Sequence, residues 1–308
     1  MSLYPPPQCI DTEVYAEMPA RFRRAGVVSE WSRANKAGAA ADCFLEAPCF
    51  DRSGNLYVVD IPFGRIFRVS PSREWTLVVE YDGEPNGLAL HPDGRLLIAD
   101  YKNGLLALDV ASGEIRAVLA RRNAERFKGL NDLSFALNGD LYFTDQGQTG
   151  LHDPSGRVYR LRGNGQLDCL LANGPSPNGL VLHPSENVLF VAMTRDNAVW
   201  RLPLLPDGGT AKVGRFAQFY GVSGPDAMAM DEHGNLVVAH ASLGAAIVLD
   251  ADGEPVSRIA SCRGRTTTNV AFGGANRQSI YITESATGTI LKADWSVPGR
   301  ELYGEISS

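Results

Sequence analysis

Apolar and polar positions along this chain fall into short runs that recur. Residues 87–91 alternate, a Pro-Asp-Gly turn follows at 92–94, and 95–100 is a β-rich run. Alternation with a period of two marks a strand with one buried face. The turn supplies a proline with fixed φ and then a glycine that tolerates a positive one. Further runs at 105–108 and 115–119 complete a set of four strands. The same order returns from Asn178 and, more faintly, four more times. Aligned on a turn eight residues downstream, six units begin at Glu46, Asn86, Asn131, Asn178, Asp226 and Asn269, spaced by 40, 45, 47, 48 and 43 residues.

Units of that length, each made of short strands and turns, are propeller blades. The expected fold is all-β: a six-bladed β-propeller of four-stranded blades, at about 44–80, 84–120, 129–171, 176–217, 224–261 and 267–295. One such sheet cannot bury both faces, whereas six around an axis can. The repeats fill most of the 308 residues, so the chain reads as one domain with an N-terminal extension over 1–40. Within it, Pro5-Pro6-Pro7 should be extended, and a strand at 12–16 is expected to pair with the sixth blade and close the ring. Residues 29–36 should form a short helix with a serine at its head, covering one face. The tail from Val297 carries no clear strand.

In this architecture the first strand of each blade starts at one mouth of the central channel, and the turn after the second strand returns to that mouth. The six first positions therefore share a face with turns at 61–63, 101–103, 194–196, 240–243 and 285–287. The long excursion at 145–157 belongs there too, and overlong loops often serve binding. All six first positions are carboxylates or carboxamides. Oxygen-bearing side chains converging on an axis suit a hard divalent cation, and the lack of His or Cys among them speaks against a nitrogen and sulfur site. Turn chemistry explains Asn and Asp at a single unit but does not favour Glu46. His91, His183 and His233 fall in far-side turns and read as structural. His240 and His152 fall on the cation side, where they could orient substrate or relay a proton. Tyr101, Phe63 and Tyr220 are candidates for the pocket wall.

Composition narrows the classes. Net charge is −6, and the basic groups Arg21/Arg23/Arg24 and Arg121/Arg122 are too short to track a phosphate backbone, so nucleic acid is not an expected partner. No apolar run is long enough to span a membrane, and the first residues lack a basic head with an apolar core. Five cysteines without metal-type spacing read as free thiols, which with the rest makes a cytoplasmic location the expectation. No nucleophile elbow, Ser-His-Asp set, phosphate loop or dinucleotide fingerprint is present.

Four segments, Phe44-Leu-Glu-Ala-Pro48, Lys128-Gly-Leu-Asn-Asp132 with Tyr142-Phe-Thr-Asp145, Ser176-Pro-Asn-Gly179 and Gly224-Pro-Asp-Ala-Met228, resemble the family of senescence marker protein, gluconolactonase and luciferin-regenerating enzyme. That resemblance implies a six-bladed, metal-dependent lactone hydrolase. It implies Glu46, Asn178 and Asp226 as metal ligands, Asn131 as a fourth ligand or a substrate contact, and Asp226 as general base. Calcium is the implied ion, with zinc, manganese and magnesium as alternatives. Asn86, Asn269, His240, Tyr101 and His152 complete the candidate substrate set. Mammalian members carry an arginine where this chain has Gly129, so sugar recognition through it is not carried over. Several relatives have Gly or Ser where this chain has Ala227. Two other readings are a phosphotriesterase-like hydrolase with a similar ring, and a non-catalytic binding propeller with a structural ion. The oligomeric state and the particular lactone are not legible.

Overall fold

The computed structural model describes residues 6–306. Pro5 of the predicted triproline lies outside them. Six antiparallel sheets follow one another along the chain, each running strand by strand from the axis outward. Blade one comprises Leu45–Phe50, Leu56–Asp60, Arg65–Val69 and Trp75–Glu80; blade two comprises Pro85–Leu90, Leu96–Asp100, Gly104–Leu108 and Ile115–Leu119. Blades three to six begin with Leu130–Phe135, Pro177–Leu182, Pro225–Met230 and Thr267–Gly273. These innermost strands pack side by side all the way round, and blade six touches blade one, so the ring is closed.

Closure uses both ends of the chain. Glu13–Glu17 is the outermost strand of blade six, antiparallel to Thr289–Asp294. That matches the expected pairing, one residue later than read from the sequence. A second N-terminal strand, Gln8–Asp11, was not anticipated. It adds in parallel to Pro255–Ala260, so blade five has five strands rather than four. A two-stranded ribbon, Arg121–Arg122 with Glu125–Arg126, also falls outside the predicted pattern.

The core is divided among the seams between blades. Leu56, Val58 and Phe67 of blade one face Tyr281 of blade six, and Val59 and Ile66 face Ile98 and Leu106 of blade two. The remaining seams are filled by equivalent Leu, Val, Phe and Met side chains. Second strands are buried on both faces, Leu56–Asp60 and Leu96–Asp100 throughout. This is why they read as continuous apolar runs rather than alternating ones.

Ser29 caps the helix Glu30–Asn35, its hydroxyl accepting from Ser32 N at 3.1 Å. The helix lies on the rim of blade one because buried Trp31 packs at a tilt on Phe44 with ring centroids 4.6 Å apart. At the opposite mouth the C-terminal segment crosses the channel. Arg300 N donates to Met230 O, Arg52 Nε donates to Gly304 O, and Tyr303 packs on His91 and Phe135. Gly304 is required there, since a Cβ would stand 2.4 Å from Leu90 O. Among the described residues the tail holds no strand, as expected, but the short turn Tyr303–Glu305. No helix among the described residues is long and apolar enough to cross a membrane. The cysteines of the described residues are free thiols.

Candidate functional site

The start of each first strand pairs with the end of the second: Leu45 with Asp60, Pro85 with Asp100, Leu130 with Asp145, Pro177 with Met193, Pro225 with His240 and Thr267 with Glu284. The six first positions and the five turns therefore lie at one mouth. In every blade the ladder slips just there, between Glu46 and Cys49, Pro85 and Gly87, Leu130 and Leu133, Pro177 and Leu180, Pro225 and Met228, and Thr267 and Asn269. A bulge leaves a residue unpaired and re-aims its side chain. The glycines after Asn86 and Asn178 are not turn residues. A Cβ on Gly87 would stand 2.8 Å from Asp132 Cα, and one on Gly179 only 2.4 Å from Ala227 Cα. Glycine at these positions lets neighbouring inner strands approach closely.

Glu46, Asn178 and Asn269 are buried, while Asp226, Asn131 and Asn86 keep some surface. Glu46 accepts from Ala47 N at 3.2 Å with the Thr268 and Asn269 side chains beside it, yet its carboxyl is held well above the usual range, first by burial and then by the charge of Asp226. Asp226 is raised likewise, chiefly by burial, with Asp132 adding to it and the Asn178 amide, Arg195 and Lys36 opposing it. Blades one, four, five and six thus bring Glu46, Asn178, Asp226 and Asn269 together. Asn131 donates to Gln146 Oε1 at 2.8 Å, which leaves its own oxygen free, and Asn86 reaches only Glu84 O at 3.5 Å.

The other candidates divide. Tyr101 is half-buried at the mouth and its hydroxyl accepts from Gln148 Nε2 at 3.0 Å. His152 is exposed on the 145–157 loop. His240 has no exposed surface and sits in the seam of blades four and five, against Phe219 and Asn197, where burial lowers its pKa to about 4. Its ring packs between Phe219 and the Asn197 side chain and is closed off from solvent. Of the proposed wall residues, Phe63 lies under the guanidinium groups of Arg24 and Arg65, and Tyr220 points into solvent at 84% exposure. His91 and His183 are at the far mouth or beside it, His183 bonded to Ser185.

His240 belongs to a device that the sequence reading missed. Second strands end in Asp60, Asp100, Asp145, Met193, His240 and Glu284, all fully buried. Asp60 accepts from Phe44 N at 2.7 Å and pairs with Arg65; Asp145 accepts from Gly129 N at 2.9 Å; Glu284 accepts from Thr266 N and Thr287 N at 2.9 Å. These side chains fasten the strand starts and are structural. Also unforeseen were Gln146, which bridges Asn131 and Ser176, and Asp132, raised by burial to about 7 while accepting from Leu133 N and Leu180 N. Asp132 and Asn269 line the inner end of a cavity of about 140 Å³ between the ring and the C-terminal segment. The signal for Asp132 was present in Asn-Asp, but plain alternation would turn one of the two residues away, and only the bulge admits both.

No three His, Cys, Asp or Glu side chains among the described residues form a metal-ligand cluster. A cation here must draw on amide oxygens as well as Glu46 and Asp226. The donor set fits one: two buried, mutually repelling carboxyls lack a bonded cationic partner, and oxygen donors flank them.

The sequence family model described as SMP-30/Gluconolactonase/LRE-like region matches residues 44–286. The chain belongs to that family. Lactonase drp35 of Staphylococcus epidermidis is 31% identical over 227 residues, covering 70% of this chain and 69% of its own. Gluconolactonase of Zymomonas mobilis is 29% identical over 273 residues, covering 78% and 76%. Among solved structures, the calcium-binding protein regucalcin of Agrobacterium tumefaciens aligns with a TM-score of 0.76 at 22% identity over 96% of this chain and 98% of its own. That likeness confirms the propeller.

Proposed function

We propose that this protein hydrolyses a lactone to its hydroxy acid at the Glu46–Asp226 mouth, with a divalent cation, calcium foremost, held by Glu46, Asn178, Asp226 and Asn131. The observation that carries the reading is the buried carboxyl pair, in a chain whose curated relatives bear the names lactonase and gluconolactonase. Two like charges this deep stay ionised only with a compensating cation. When bound, such an ion polarises a carbonyl oxygen and stabilises the oxyanion that develops on it.

The protein's own groups supply the rest. Asp226, ionised, takes the proton of a water attacking the lactone carbonyl carbon. The ring C–O bond then breaks, and the departing alkoxide recovers that proton as a hydroxyl, while the new carboxylic acid gives its own proton to solvent and leaves as a carboxylate. Asn178 stands beside Asp226 and favours its ionised form. Asn131, fixed by Gln146, and Tyr101, fixed by Gln148, present polar atoms to the ring substituents. The test is acid release from a lactone panel in weak buffer, with calcium and with chelator. Turnover that falls at least about 100-fold on chelation supports the reading; unchanged turnover removes the cation from it. Stabilisation by calcium without turnover of any lactone would indicate a binding propeller instead.

A further inference from the structure

Glu46 and Asp226 turn inward where the sheet ladder slips, so something other than the ladder must hold them. The peptide just before each is decisive, because its carbonyl lies in one plane with the N–H of the carboxylate residue. Ile61 N donates to Phe44 O, and Ala241 N donates to Gly224 O. Successive carbonyls of a strand point to opposite sides, so the next two, Leu45 O and Pro225 O, face away from their own second strands. Each finds its donor in the preceding blade. Ser285 Oγ of blade six donates to Leu45 O at 2.6 Å, and Thr194 Oγ1 of blade four donates to Pro225 O at 2.8 Å. Both side chains are buried, and Thr268 reaches Leu45 O only at 3.5 Å.

Ser285 and Thr194 occupy one register position, the residue after the second strand. Around the ring that position holds Ile61, Tyr101, Gln146, Thr194, Ala241 and Ser285. Gln146, Thr194 and Ser285 stand before blades four, five and one, the blades of Asn178, Asp226 and Glu46. Gln146 Nε2 donates to Ser176 Oγ at 2.9 Å, two residues before Asn178. Ser176 is held there with a φ of 65°, in the left-handed region that serine seldom adopts. Ile61 and Ala241 have no side-chain donor, and the blades after them carry Asn86 and Asn269, which are not among the proposed ligands. Tyr101, before the blade of Asn131, turns its hydroxyl to Gln148 instead. Blade six is tied the other way, by the hydroxyl of its own Thr267 on His240 O. Among the described residues, a donor from this position to the next strand entry is thus found at three blades, and all three entries lead to a proposed ligand.

We propose that Ser285, Thr194 and Gln146 are positioning residues, which aim Glu46, Asp226 and Asn178 of the next blade into the channel. The proposal rests on the reading that a cation is held here and adds the residues that shape its cage. Calcium binding to the full-length protein, measured by calorimetry, tests it independently of turnover. Ser285→Ala and Thr194→Val should weaken calcium roughly 10- to 100-fold, the usual effect of removing a bond that orients a metal ligand, while Thr194→Ser, which keeps the hydroxyl, should stay within about threefold. Thr12→Val loses a hydroxyl bond of the same 2.8 Å length, to Ala260 O at the outer edge of blade five. It should lower the melting temperature as those variants do and leave calcium affinity unchanged. Unchanged affinity in Ser285→Ala and Thr194→Val would overturn the proposal, as would an equal loss in Thr12→Val, since a lost hydroxyl would then act through stability alone. If calcium binds but no lactone is opened, the lactonase reading falls and these affinities still decide. If calcium does not bind the unsubstituted protein, the cation reading falls, and crystal structures of the variants decide: a Glu46 or Asp226 carboxyl swung out of the channel supports the proposal, and one left in place refutes it.

Discussion

Replacing Asp226 by asparagine should stabilise the metal-free protein, although it removes the proposed base. Burial raises this carboxyl from its ordinary 3.8 to about 7. At 1.36 kcal/mol per pH unit that corresponds to about 4 kcal/mol of strain when the group is ionised. Glu46 shares the repulsion and Asp226 keeps some surface at the mouth, so about half that figure is a fair expectation. A folded-state pKa above the unfolded one means that folding takes up a proton. Metal-free stability is therefore full below about pH 4 and declines as pH rises toward about 7. The carboxamide of Asp226→Asn has no proton to lose in this range, so its stability carries no such dependence. With an unfolding entropy of roughly 2.1 cal/mol/K per residue, about 2 kcal/mol in a chain of this length is about 3 °C. Thermal melts in chelator at about pH 8 and pH 4 read the effect: the variant should melt higher at the first and alike at the second, and should not respond to added calcium. An Asp226→Asn protein that melts at or below the unsubstituted protein at the higher pH, or whose advantage persists at pH 4, would show that this carboxyl is not strained and that the case for a cation here is unsound.

The remaining expectations are narrower. Glu46→Gln should abolish the calcium-induced rise in melting temperature and lower lactone turnover by at least about 100-fold, both measured on the same preparation. Asp60→Ala leaves Arg65, 3% exposed, without its partner and should cost about 3–5 kcal/mol in urea unfolding. Gly179→Ala, whose new carbon would stand 2.4 Å from Ala227 Cα, should cost about 1–3 kcal/mol and weaken calcium binding by moving Asn178, read by denaturation and calorimetry.

The ring was legible because its physics is local. Each blade repeats one hydrophobic pattern and one turn, and six copies leave little freedom in how they pack. Ser29 announced its helix by the same kind of local rule. What the sequence hid depends on register. Gln8–Asp11 is four residues with no periodic signal, and it becomes a strand only because Pro255–Ala260 offers an open edge. The bulges that turn Glu46 and Asp226 inward leave no compositional mark. His240 was misjudged for the same reason: a histidine on the right turn can face the channel or the seam, and burial against Phe219 and Asn197 places it in the seam.

Acidic side chains at this mouth fall into two populations, and the difference between them is what separates scaffold from site. Asp60, Asp100 and Glu284 are buried completely, and each is answered by backbone N–H groups or by a fixed side-chain donor: Arg65, Tyr81 and Thr287 respectively. These donors offset part of the burial that still raises Asp60 and Asp100, and they tie the strand starts in place, so removing one destabilises the chain. Glu46 and Asp226 are nearly as deep, but among the described residues only Ala47 N stands within hydrogen-bond distance of Glu46 and no donor does so for Asp226, and the two repel each other. A carboxyl pair left uncompensated by its own protein is stable only as a proton holder or as half of a complex with something positive. Residue type alone cannot tell the two populations apart, since both are Asp and Glu at strand ends one pleat apart; the count of donors aimed at each carboxyl can.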